Sequence, residues 1–219
     1  MVCGATHEID FLISSKTVLH PEMATPEFNR INLDDESWVD QCINLPTQAK
    51  FDGPAFEQLW SIHPEEFGRV KIYGKELSTP RWQQSYLKPY WFSGMTHAPL
   101  PLPEEIQGLF DWVKTINPDI NQCLINWYQD GNHYIGPHSD DETQLVPGSD
   151  IFSFSYGAER QFHIHPKNGP STGAIHKIPM PHNSLLIMRG KMQRNYKHSV
   201  PKSARVNNRR INITFRCFK

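Results

Sequence analysis

From residue 122 onward, apolar and polar residues alternate in short runs at 124–128, 151–156, 161–165, 184–188 and 211–215, with turn residues between them. A period of two places successive side chains on opposite faces, so each run predicts a strand. Several short strands at close spacing predict a two-layered sandwich or jelly roll. Upstream, residues 67–98 mix aromatics with Gly and Pro and read as short strands and loops. Residues 103–113 change period. Pro103, Glu104 and Glu105 open the segment, and Ile106, Leu109, Phe110 and Val113 share one helical face. The acids Asp34, Asp35 and Glu36 with Ser37, ahead of Trp38 and Val39, read as a second helix start. No repeat, doubly wound α/β pattern or Gly-rich phosphate loop is present. The predicted class is mainly β with flanking helices.

A chain of 219 residues and 25.3 kDa suits one large domain better than two. Cys3, Cys42, Cys123 and Cys217 are scattered with no CxxC pair, which predicts free thiols in a reducing compartment. No apolar run is long enough for a membrane span, and the first residues lack the basic and apolar regions of a secretory signal. A soluble intracellular protein is expected. The net charge of −1 conceals a division. Residues 1–159 hold nine Lys/Arg against all 23 Asp/Glu, a balance of −14, while residues 160–219 hold thirteen Lys/Arg and no acid. A sixty-residue segment without a carboxylate favours a polyanionic partner such as nucleic acid, unless the acidic half neutralises it.

His138 and Asp140, two apart on an extended segment, face the same way, and His198 is a third candidate ligand. Two imidazoles and one carboxylate can cap one face of an octahedral ion and leave three positions open, which suits non-haem Fe(II). A two-sheet barrel would let His138 and His198 meet across sixty residues. His163 and His165 form a rival pair at strand spacing, and His176 and His182 add candidates, although basic neighbours and the lack of a carboxylate make them poorer iron ligands. Arg210, Asn212 and Arg216 share one face of the last strand. Either the arginines lie on an exposed edge, or they face an interior where a dicarboxylate must compensate them.

Taken in order, Asn126, Tyr128, Gly131, the His138–Asp140 pair, His198 and the run from Arg210 through Asn212 and Thr214 to Arg216 resemble the AlkB family, Fe(II)/2-oxoglutarate dioxygenases that demethylate nucleic acids. The likeness covers about residues 68–219 and is strongest over 122–219. It implies a double-stranded β-helix (jelly-roll) core at 101–219. An N-terminal extension and nucleotide-recognition lid at 30–100 would complete a single domain over 1–219. By the same resemblance His138, Asp140 and His198 hold the iron, and Arg210 pairs with the distal carboxylate of 2-oxoglutarate. Asn126, Tyr128 and Asn212 contact that cosubstrate, and Arg216 is the second arginine beside it. Molecular oxygen is the other cosubstrate. The implied products are succinate, carbon dioxide, formaldehyde and the repaired base.

The chain looks closest to the eukaryotic DNA-repair members acting on 1-methyladenine and 3-methylcytosine. Tyr90 and Phe92 resemble the base-pocket aromatics, with Phe92 opposite His138, and Asp141 or Glu142 could accept from an exocyclic amine. Tyr73, beside Ile72 and Gly74, stands where double-strand-active members carry an apolar wedge, and Arg81 where a lesion-strand contact is expected. Arg189, Lys191, Arg194, Lys197, Lys202, Arg205 and Arg209 are candidate phosphate contacts. DNA, with RNA as a further substrate, is the expected partner of a monomer located in the nucleus if the source is eukaryotic. Activity on RNA only, or on a protein, is the alternative.

Overall fold

The computed structural model describes residues 26–92, 95–167 and 174–219, without the side chains of Ile72 and Phe92. Strands β1 (Asn29–Asn32) and β2 (Ser37–Cys42) form a hairpin, followed by helix α1 (Gly53–Ser61). Hairpins β3 (Arg69–Ile72) with β4 (Lys75–Ser78), and β6 (Tyr90–Phe92) with β7 (Met95–His97), flank β5 (Trp82–Tyr86). Helix α2 (Gln107–Ile116) leads into β8 (Gln122–Tyr128), β9 (Ile135–His138), β10 (Ile151–Gly157), β11 (Arg160–Pro166), β12 (His176–Met180) and β13 (Ser184–Gly190). A single turn, α3 (Met192–Asn195), precedes β14 (Tyr196–Val200) and β15 (Arg210–Arg216).

A seven-stranded sheet in the order β1-β2-β13-β10-β15-β8-β5 lies over a four-stranded sheet, β12-β11-β14-β9. This is the expected jelly roll, and strands from 29–42 and 82–86 extend its larger sheet. That sheet has two covered faces. On one, Cys123, Ile125 and Trp127 of β8, Phe152, Phe154 and Tyr156 of β10, and Ile211, Ile213 and Phe215 of β15 pack with Leu59, Leu109 and Val113 of the helices. Each fully buried Phe there contributes roughly 1.5–3 kcal/mol. The alternate residues of the same strands, Asn126 and Tyr128, Ser153 and Ser155, Arg210 and Asn212, look into the space between the sheets. A smaller apolar cluster that includes Leu124, Phe162, Ile164, Leu186 and Val200 closes this space around them. The polar half of the alternation thus marks the barrel interior rather than solvent.

Residues 34–37 do not start a helix. Asp34 accepts a hydrogen bond from the Glu36 amide at 2.8 Å and caps the β1–β2 turn, while Ser37–Cys42 runs as a strand against β13. The extended run won because β2 pairs along six residues of β13. Asp and Asn side chains favour such local turns as readily as helix caps. The helix expected at 103–113 begins as a 3-10 turn at Glu104–Ile106 and continues as α2 to Ile116. Helix α1 was not anticipated. Trp127 Nε1 donates to the Leu59 carbonyl at 2.9 Å and ties that helix to the sheet. Cys42, Cys123 and Cys217 are free thiols; Cys3 lies outside the described residues. No helix among the described residues is long and apolar enough to cross a membrane.

Candidate metal and cosubstrate site

Adjacent strands β9 and β14 place His138 directly opposite His198, with ring centroids 4.2 Å apart. His138 Nδ1 lies 2.9 Å from the Gly136 carbonyl, so Nδ1 carries the proton and Nε2 is left with its lone pair. Phe162 stacks on the His198 ring at 5.2 Å. Just past β9, the Asp140 amide donates to Gln193 Oε1 at 2.9 Å, and Ser139 Oγ donates to the Tyr196 carbonyl at 2.8 Å. These contacts pin the loop so that the carboxylate turns inward.

The two oxygens of Asp140 then differ. Oδ2 accepts from Arg216 Nη2 at 2.9 Å and Nε at 3.2 Å. Among the described residues Oδ1 is buried without a hydrogen-bond partner, 3.6 Å from His138 Nε2 and 3.9 Å from His198 Nε2. Those separations are too long for hydrogen bonds. The donor atoms of the three residues lie within 4.8 Å of one another. Burial alone would raise the Asp140 pKa, but Arg216 and the two imidazoles hold it well below the usual range. Burial, reinforced by His138, pushes His198 down to about 3. A carboxylate and two neutral imidazoles, one carboxylate oxygen orphaned, fit a divalent cation.

Beside them is a narrow cavity of about 40 Å³ between the polar face of the large sheet and β9 and β14. Arg210 is 2% exposed and donates from Nη2 to Ser155 Oγ at 2.7 Å, yet among the described residues its Nε and Nη1 have no hydrogen-bond partner. Burial pulls its pKa down. A buried guanidinium with two free donors needs an anion, and a carboxylate matches both. The central position of β15, between β10 and β8, settles the question its arginines raised: both face inward. Asn212 lies on the same face, but its amide already donates to Ser153 Oγ and the Phe154 carbonyl. Arg216 is committed to Asp140 and sits 5.3 Å from the Tyr90 ring centre.

The other candidates divide. Arg81 is not on the surface: it lines the cavity, 4% exposed, with Nε donating to Asn126 at 2.8 Å and Nη2 to Gln83 at 3.2 Å. Tyr90 is buried and hydrogen-bonds Glu142, whose pKa burial and then Asp140 push up to about 7. Asp141 is exposed and does not line the cavity; it is ion-paired to Lys167 at 3.3 Å. The side chain of Phe92 lies outside the described residues. Tyr73, fully exposed, tips the β3–β4 hairpin, and with Gly74 it takes the positive φ of a two-residue turn.

Among the basic residues, Arg189 is spent on Asp40 and Asp150, Lys191 on Glu36 and Arg209 on Glu57. Arg194, Lys197, Lys202 and Arg205 are exposed. The rival histidines stay outside the cluster. His165 meets Ser199, and His182 bonds Asp52 and the Gly157 amide. The alternation in β10 could have revealed Ser153 and Ser155. The alternation in β8 likewise puts Gln122, which accepts from Arg216, on the face of Asn126, whereas Gln193 carries no such signal.

The sequence pattern of the 2OG-Fe(II) oxygenase superfamily matches residues 55–216. The chain belongs to this superfamily. Human DNA oxidative demethylase ALKBH2 is 39% identical over 157 residues, which are 68% of this chain and 60% of that protein. Rat alpha-ketoglutarate-dependent dioxygenase alkB homolog 3 is 34% identical over 138 residues, 58% of this chain and 46% of that protein. These relatives place the chain in the AlkB branch of the superfamily, although it spans only about half to two thirds of their length. The structure of OsALKBH1 superposes with a TM-score of 0.53 at 18% identity, covering 86% of this chain and 99% of that one, which speaks to the fold alone. The superfamily's name implies Fe(II) and 2-oxoglutarate, with oxygen as the oxidant, and the His138, Asp140 and His198 cluster suits the iron.

Proposed function

We propose that this chain demethylates N-alkylated bases, 1-methyladenine and 3-methylcytosine, in DNA, with RNA as a further substrate. The observation that carries the reading is one cavity holding both an orphaned carboxylate oxygen between two imidazoles and a buried arginine with two free donors. The relative named a DNA oxidative demethylase directs it to nucleic acid. His138, Asp140 and His198 would hold Fe(II), and Arg210 the distal carboxylate of 2-oxoglutarate, with Asn126 and Tyr128 alongside. Iron, 2-oxoglutarate and oxygen supply the oxidising power that converts an N-methyl group to formaldehyde, with succinate and carbon dioxide as coproducts.

The chain's own residues position and exclude. Arg216 keeps Asp140 ionised and aims one of its oxygens at the metal position. Leu124, Phe162 and Val200 keep the inner wall dry. Tyr90, Phe92 and the acids Asp141 and Glu142 would receive the extruded base, negative charge favouring a cationic lesion over a neutral base. Arg81 would act from inside the cavity, through Asn126, rather than on the strand. Tyr73, exposed at a hairpin tip, would fill the gap left by the base in a duplex. A nuclear site of action is part of this reading.

The test is demethylation followed by mass spectrometry, with Fe(II), ascorbate and 2-oxoglutarate, on matched single-stranded DNA, duplex DNA and RNA bearing each lesion. Turnover of either DNA form supports the proposal. Turnover of RNA alone would replace DNA by RNA. Succinate formation without loss of any lesion would sink the nucleic-acid assignment and favour a protein substrate.

A further inference from the structure

Arg160 opens β11 and is only 3% exposed. Among the described residues no carboxylate pairs with it. Its guanidinium is held by main-chain oxygens instead: Nη1 donates to Asp130 at 3.1 Å, and Nη2 to His133 at 3.0 Å and to Pro201 at 2.6 Å. These carbonyls come from two segments, the turn after β8 and the loop that joins β14 to β15. The same segments meet through backbone pairs, Gly131 N to Val206 O at 2.7 Å and Ser203 N to Gly131 O at 2.8 Å. Arg160 therefore sits where one cation can fasten both to the start of β11.

The guanidinium also lies 5.9 Å from the ring centre of Tyr128, and that of Arg210 lies 4.9 Å from the same ring. Tyr128 and Arg210 are register partners on β8 and β15. Two buried guanidiniums thus share one aromatic ring, and Arg160 is close enough to disfavour the charge on Arg210. Burying two like charges without an acid is costly unless an anion joins them. Both Nη atoms of Arg160 already donate to main-chain oxygens, whereas among the described residues Nε and Nη1 of Arg210 find no acceptor. The division of labour follows from that difference: Arg210 can bind the anion, and Arg160 can only fix its surroundings and add field.

We infer that Arg160 is a positioning residue for the dicarboxylate cosubstrate. It clamps the 130–133 turn and the loop at Pro201 against Tyr128, and so holds the free donors of Arg210 on the distal carboxylate. This rests on the proposed pairing of 2-oxoglutarate with Arg210. A merely structural arginine would lower stability without changing cosubstrate affinity in the folded protein.

The experiment is anaerobic calorimetry of 2-oxoglutarate binding to the Mn(II)-loaded full chain. It compares wild type, Arg160→Met, Arg160→Lys and Arg210→Met, with Mn(II) affinity and ligand-free unfolding as controls. Arg160→Met is expected to weaken 2-oxoglutarate by about tenfold, from the lost field and a less fixed Arg210, while Mn(II) binds as in wild type. Arg160→Lys should recover part of the loss, and in turnover the cosubstrate KM should rise far more than kcat falls. Folded Arg160→Met with wild-type 2-oxoglutarate affinity overturns the inference. Should Arg160→Met fail to fold, Arg160→Gln keeps one hydrogen-bond donor group for the carbonyls and removes both the charge and the two-segment clamp, and wild-type 2-oxoglutarate affinity there overturns it equally. The underlying reading fails separately: wild type would then not bind 2-oxoglutarate, or Arg210→Met would bind it unimpaired.

Discussion

Asp140 serves two partners with one carboxylate, and the consequences separate by atom. Oδ2 belongs to Arg216, and Oδ1 has no hydrogen-bond partner among the described residues. Removing the carboxylate with Asp140→Ala is expected to abolish turnover while leaving the affinity for an alkylated oligonucleotide largely intact, compared by product formation and by fluorescence anisotropy. Unchanged turnover would mean that the metal is held elsewhere. Arg216→Met leaves Asp140 buried without its cation, and losing one partner of such a pair costs about 3–5 kcal/mol. Denaturant unfolding of the metal-free variant should show a loss of that order, and a loss near zero would mean that water reaches the pair. At this scale the sequence was informative wherever period and residue type coincided, as at His138 and Asp140 or Arg210 and Arg216. It was silent on Gln193, whose contact with Asp140 spans 53 residues and follows from no local pattern.

Among the elements, β8, β10 and β15 were legible because their alternation is strict, although what it separates is two buried faces. The acids at 34–36 sit in a turn rather than a helix start because an Asp before a hydrophobic run caps either one. Gly131 illustrates a constraint visible only in three dimensions: a Cβ there would lie 1.8 Å from the Ser203 carbonyl oxygen. Gly131→Ala must push the 201–206 loop away from the turn. We expect a loss of about 1–3 kcal/mol from such overpacking, together with weaker 2-oxoglutarate binding. Thermal unfolding checks the first part, and a wild-type melting curve would show that the loop yields freely. Among the described residues the β3–β4 hairpin forms a sheet of its own, and it carries Tyr73 into solvent. Tyr73→Ala is therefore expected to slow demethylation of duplex DNA several-fold and spare single strands, an aromatic wedge being worth on the order of a base–ring stack. Equal slowing on both would remove the wedge from the account.

At the scale of the whole molecule, the division of charge found in the sequence survives folding only in part. Arg189, Lys191 and Arg209 are neutralised by acids from the first half, while Arg194, Lys197, Lys202 and Arg205 stay exposed. The KM for the oligonucleotide should therefore rise steeply with added salt, with a slope set by a few phosphate contacts, about one per neutralised phosphate. The cosubstrate, bound in a buried pocket, should show a much smaller change in KM. Parallel salt dependences would contradict a surface role for those residues. The central claim is that the two buried polar half-sites form one iron and 2-oxoglutarate centre. The direct measurement is an anaerobic titration of the Fe(II)-loaded protein with 2-oxoglutarate, following the metal-to-ligand charge-transfer absorption that appears when the 2-oxo acid chelates the metal. A saturable band is expected in wild type, none in Asp140→Ala, and saturation only at much higher 2-oxoglutarate in Arg210→Met. A wild-type protein that binds iron and yields no band, or an Asp140→Ala band equal to wild type, would contradict the central claim.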